Sequence, residues 1–204
     1  MTRALYVGPW RVDLTVRDGV VPPVTGAALA RAVAAAVTSA GAPSPASIGL
    51  ILSDDAELAE LNAAHLGQAG PTDVLSFPLM PREAFPPHPG ATAHGATLPG
   101  TAGTFPLPPG RRPHLGDIVI SVERAIEQAE AGRGGQTGDV RWSAADELRL
   151  LATHGALHIC GWDHAEPDEE AAMRALERRL LGPADRGRGG ISGRRPRPSR
   201  RAST

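Results

Sequence analysis

Hydrophobic positions recur along this chain at two spacings, every second residue and roughly every 3.6, and the switches between them lay out most of its elements. Residues 4–21 alternate, with Val12, Leu14 and Val16 set against Asp13, Thr15 and Arg17, which predicts a strand ending at the Asp18-Gly19 turn. Residues 26–40 are alanine-rich, carry Leu29, Val33 and Val37 at helical spacing and stop at Gly41. The continuous apolar run 48–52 reads as a buried strand. Ser53-Asp54-Asp55 then offers side-chain oxygens to cap a helix over 56–66, with Leu58 and Leu61 on one face and Gly67 at its end. Residues 74–79 form a short strand, and Pro78, which has no N–H for a ladder, assigns it to an edge or a bulge.

Residues 80–113 break the pattern. Nine prolines and five glycines in these 34 positions leave no apolar period, so a long flexible loop is expected. Periodicity returns with a strand at 115–121 and a helix at 122–131 striped by Val122, Ile126 and Ala129. Residues 132–138 are a joint. Ser143 with Asp146 three positions on resembles a capping box and opens a helix over 144–160, with Leu148, Leu151, Ala152 and Ile159 buried. Pro167 suits the first turn of a last helix reaching residue 181, with Met173, Leu176 and Leu180 inward. The intermixed strands and helices predict one α+β domain over 1–181, a small mixed sheet with helices packed on it.

Composition refines this picture. Hydrophobic residues make up 41% of the 204 positions but aromatics only 3%, so alanine, valine and leucine must fill the core. Lysine is absent. Residues 182–204 hold seven arginines against Asp185 alone, while the rest carries 14 arginines and 21 acids. An acidic body with a basic, disordered tail suits either a polyanion partner or a solvated extension. The one cysteine, Cys160, can form no internal disulfide and fits a reducing compartment. With no signal-peptide pattern and no apolar run near ~18 residues, a cytoplasmic protein without a membrane partner is expected.

The chemistry concentrates in His154-Gly155-Ala156-Leu157-His158-Ile159-Cys160-Gly161-Trp162-Asp163-His164. On a helix, His154 and His158 share one face about one turn apart. Gly161 can stop the helix and turn the chain back, so that His164 reaches the same point. Three imidazoles suit one Zn²⁺ ion and leave a fourth position, the catalytic rather than the structural pattern. Zinc brings the pKa of a bound water to about 7, and hydrolysis follows naturally. The spacing matches metzincin peptidases, H-E-x₂-H-x₂-G-x₂-H, except that the glutamate base is replaced by Gly155, which disfavours a peptidase. Cys160 falls on roughly the opposite side of the helix and reads as a core residue.

These residues resemble the signature of the YbeY family, bacterial metal-dependent endoribonucleases also called rRNA maturation factors. Two further blocks fit: Leu61-Asn62 followed by Pro71-Thr72-Asp73-Val74-Leu75-Ser76-Phe77-Pro78, and Leu115-Gly116-Asp117-Ile118. The resemblance covers roughly residues 10–181. It implies a zincin-like fold with zinc on His154, His158 and His164. It also implies single-stranded RNA as substrate, in 16S rRNA 3′-end maturation and late-stage 70S ribosome quality control, with the ribosome or its small subunit as partner. This chain departs from the family at Leu66, where members carry an arginine four residues after the asparagine. Arg82, Arg111 and Arg112 are candidates to replace it.

Two carboxylates are candidate catalytic residues. Asp163 is read as orienting His164 or a water, or as a turn residue; Asp73 as facing the site, with Ser76, or as capping a turn. Asp117 reads as structural, and Trp162 as packing on the metal helix or walling the site. His65, His88, His94 and His114 are expected on the surface or in loops. Beside the endoribonuclease stand two alternatives, a zincin-type metallopeptidase and a non-catalytic ribosome-assembly factor with a structural metal.

Overall fold

The computed structural model describes residues 2–89, 112–131 and 143–182. Among these residues five strands form one mixed sheet: β1 (Thr2–Val7), β2 (Trp10–Val16), β3 (Ala46–Ser53), β4 (Val74–Pro78) and β5 (His114–Ser121), ordered β1-β2-β3-β5-β4. β2, β3 and β5 run parallel, and an antiparallel strand closes each edge. Pro78 thus ends an edge strand, where its missing N–H costs nothing.

The stretch expected as a single strand is two. Gly8, at φ +56°, and Pro9 fold β1 back on β2 with Val7 opposite Trp10. Only a glycine takes that left-handed turn without strain. The alternation continues across the turn, which is why it read as one element.

Register sets the two faces of the sheet. Leu14, Leu50 and Ile118 lie side by side, as do Leu52 and Ile120, and all point into the main core. Ile51, Val119 and Leu75 alternate to the other face, where Leu58 closes a smaller cluster. That leucine belongs to α2 (Asp55–Leu66), which Asp54 caps by accepting from the Glu57 N–H at 2.9 Å. On the main face lie α1 (Gly26–Ser39), α3 (Val122–Glu130), α4 (Ala144–Ile159) and α5 (Pro167–Leu181).

α4 is the central helix, in contact with α1, α3, α5, β4 and β5. Ser143 and Asp146 form the reciprocal capping box at its start. Leu148, Ala152, Ala156 and Leu157 are fully buried, and each such leucine contributes about 1.5–3 kcal/mol. The helix meets β4 and β5 where it has no side chain. A Cβ on Gly155 would stand 2.7 Å from Ile118 Cγ2 and 3.1 Å from Ser76 Oγ. The Ser76 hydroxyl donates to the Gly155 carbonyl across this seam at 3.1 Å.

Where composition predicted no packed element, residues 80–89 do pack. Arg82–Ala84 form one 3₁₀ turn, Phe85 is buried, and Met80 lies against the core. The remainder of the expected loop, 90–111, and the basic tail from 183 onward lie outside the described residues.

Because strand and helix touch at Gly155 without a spacer, Gly155→Ala should overpack the seam. A loss of about 1–3 kcal/mol in chemical denaturation is expected, against a near-neutral change at an exposed control such as Glu60→Ala.

Candidate metal centre

The last two turns of α4 carry His154 and His158, i and i+4. The helix ends at Cys160, and Gly161 takes φ +81°. Gly161 N–H donates to His158 O at 3.0 Å, and Trp162 N–H reaches back to Leu157 O at 3.1 Å, so the chain reverses at once. Asp163 Oδ1 accepts the His164 N–H at 2.8 Å, holding the turn that swings His164 over the helix end.

One nitrogen from each of the three histidines lies within 4.8 Å of the other two. The Nε2 atoms of His154 and His158 are 3.0 Å apart. A tetrahedral ion with N–Zn bonds of ~2.0–2.1 Å has donors about 3.4 Å apart. The 3.0 Å separation is close to that edge and all three nitrogens fall within 4.8 Å, so the donor set fits one such ion by geometry and by ligand type. His154 and His158 are half-buried and His164 is exposed, which leaves the centre open on one side.

Burial pushes the His158 pKa down to about 4, aided by repulsion from His154 and His164. This imidazole is therefore neutral at physiological pH, the form that offers a lone pair. Cys160 is not part of the donor set; it is buried, and burial raises its pKa to about 12.

A residue not anticipated from sequence stands behind the centre. Glu177 of α5, only 4% exposed, places Oε1 2.7 Å from His154 Nδ1. The signal was available in principle: Glu177 lies four residues after inward-facing Met173, on the buried stripe of α5. A second buried glutamate of that helix, Glu169, receives Arg82 at 2.6 Å.

The centre opens into a cleft of about 770 Å³, in whose walls Leu66, Asp73, Ser76, Arg82, Trp162 and Asp163 appear. Both proposed carboxylates are thus brought to the cleft. Asp73 is well anchored, accepting from Val74 N–H at 2.8 Å and from the Gln128 amide at 3.0 Å. Asp163 is exposed, and the one hydrogen bond it makes among the described residues is the turn contact above. Leu66, 58% exposed, sits in the wall where a cation was expected. Arg82 is in the wall too, its stem passing so close to Gly161 that a Cβ there would lie 2.9 Å from Arg82 Cγ. Arg112 is elsewhere, bonded to the Pro9 carbonyl of the β1–β2 turn, and Arg111 lies outside the described residues.

The remaining histidines divide. His88, expected on the surface or in a loop, lies in a loop, but only 5% of its side chain is exposed and it stacks on Trp162 at 4.3 Å. Composition hid this, because the residues around it are prolines rather than a periodic apolar face. His65 is exposed and edges onto Phe77 in the cleft wall. His114 pairs with Asp117 at 3.0 Å. His94 lies outside the described residues. Trp162 is itself buried and lines the cleft as well. Among the described residues no helix is long and apolar enough to cross a membrane.

The depressed His158 pKa has a testable consequence. Unfolded, this histidine titrates near the ordinary 6.5; folded, near 4. Between those values the unfolded chain binds more protons, so stability of the metal-free protein falls as pH drops from about 6.5 toward 4. Denaturant midpoints across that window should show the slope, and His158→Gln should flatten it.

The family model for endoribonuclease YbeY matches residues 23–184. A Salinispora tropica protein named endoribonuclease YbeY is 42% identical over 137 residues, 67% of this chain and 73% of that one. Its namesake from Thermobifida fusca is 40% identical over 136 residues, 67% and 70% of the two chains. A solution structure from Thermotoga maritima covers 82% of this chain and 88% of its own, at 18% identity and a TM-score of 0.42. The three blocks noted in the sequence, Leu61–Pro78, Leu115–Ile118 and His154–His164, all lie inside the matched span, and the chain belongs to the endoribonuclease YbeY family.

Proposed function

We propose that this chain is a zinc-dependent, single-strand-specific endoribonuclease that acts in 16S rRNA 3′-end maturation and ribosome quality control in the cytoplasm. Family membership supports the nuclease activity and the RNA substrate. The observation that carries the metal reading is the convergence of His154, His158 and His164 at the mouth of a cleft. On this reading the arrangement of α4, turn and His164 is zincin-like.

When bound, the ion polarises a phosphoryl oxygen and brings a water's pKa toward neutrality. The chain's own residues supply the rest. Arg82 has its Nη2 committed to Glu169 and His88, and its other guanidinium N–H groups have no partner among the described residues. It offers them to a phosphate as planar, permanently charged donors. Asp73, held by Val74 and Gln128, presents its carboxylate to the cleft as a proton acceptor. Asp163 fixes the turn and so positions His164. A flexible single strand can follow such a cleft and leave its bases unstacked.

The peptidase alternative lacks its base, and the seam explains why: a glutamate at position 155 would have to drive its Cβ into Ile118. The assembly-factor alternative rests on Leu66. Leu66→Arg should increase RNA cleavage by an enzyme and leave a scaffold unchanged.

Purified protein should carry about one zinc per chain and cut single-stranded RNA, with cutting lost on chelation or in His158→Ala. Metal-loaded protein that leaves RNA intact would contradict the reading. Arg82→Ala should raise KM for RNA and reduce the slope of log affinity against log salt by about one, with metal content unchanged.

A further inference from the structure

We propose that Glu177 is a positioning residue for the metal centre, holding the proton of His154 on Nδ1 so that Nε2 is left as the donor. The inference rests on the metal reading above and deepens it. Three observations carry it. Glu177 Oε1 lies 2.7 Å from His154 Nδ1, a charge-assisted hydrogen-bond distance. The carboxylate is 4% exposed, and a buried carboxylate is costly unless it is paired. His154 Nε2, at the far side of the same ring, lies 3.0 Å from His158 Nε2, where the donors converge.

A neutral imidazole carries one N–H and one lone pair, and the partner of one nitrogen decides the role of the other. An ionised carboxylate only accepts. Placed against Nδ1, it requires the proton there and leaves the Nε2 lone pair facing the site. The carboxylate also raises the basicity of that lone pair and fixes the plane of the ring, a coupling commonly worth 10–100-fold in metal affinity. Neither His158 nor His164 has a carboxylate hydrogen bond to a ring nitrogen among the described residues; the His158 ring bonds the Trp162 backbone instead, so His154 is the ligand backed by a charge. The glutamate comes from α5, so this contact also couples the last helix to the centre on α4.

The test begins on metal-free protein, where it does not depend on the ion. Nitrogen-15 NMR of the His154 ring should show the proton on Nδ1 in the wild type and a mixture of tautomers in Glu177→Gln. A proton held on Nε2 in the wild type would overturn the proposal, whether or not any variant folds. The second measurement is zinc affinity by competition with a chromophoric chelator. Glu177→Gln should bind 10–100-fold more weakly while its denaturation midpoint stays close to wild type, and Glu177→Asp should recover part of the loss. Wild-type affinity in folded Glu177→Gln would overturn the proposal. Should the wild type bind no zinc, the metal reading fails, and the tautomer measurement still decides what Glu177 does.

Discussion

The structure depends on one close approach. α4 lies against β4 and β5 at a residue with no side chain, and Ser76 bonds the helix carbonyl directly. Any side chain at position 155 would press on Ile118, Ser76 and Val74, and the seam would have to give. His154 and His158 flank that seam, so the contact that closes the core also sets their height above β4. The cleft between β4 and the helix end is what remains of the gap once the backbones have met. Fold and site are therefore specified by the same atoms, and the residue that removes the peptidase base is the one the packing requires.

Around this seam the centre is assembled from three directions. α4 supplies two imidazoles at helical spacing. The Gly161 turn returns the third within three residues, and Asp163 ties it down. α5 brings two buried carboxylates, Glu177 behind His154 and Glu169 onto Arg82. Burial and two neighbouring rings disfavour protonation of His158, and a trio of imidazoles is chemically matched to a borderline cation. The order of the elements explains why the site stays open: α5 covers the Nδ1 side of His154, whereas the exposed His164 borders the cleft.

Much of this was legible in the chain. The α4 helix could be read from the Ser143–Asp146 box at one end and Gly161 at the other, because both are local devices whose geometry depends on neighbours in sequence. The edge position of β4 followed from Pro78 for the same reason. The β1–β2 hairpin was missed because alternation persists through Gly8-Pro9, and only the φ of Gly8 marks the break. Glu177 and His88 were missed for a different reason. Both owe their roles to partners far along the chain, His154 for one and Trp162 with Gly161 for the other, and a buried polar residue carries no periodic signature of its partner. Arg82 could be nominated from its charge, but its place in the cleft wall required knowing that residues 80–89 fold back over Gly161.

The account stands on three imidazoles sharing one ion. X-ray absorption at the zinc edge, recorded on protein loaded with one equivalent, tests that most directly. The account predicts a coordination shell of nitrogen and oxygen only, with imidazole scattering from three rings that drops when His164 is replaced by alanine. A sulfur shell, which would implicate Cys160, or a spectrum indifferent to the loss of His164, would contradict it.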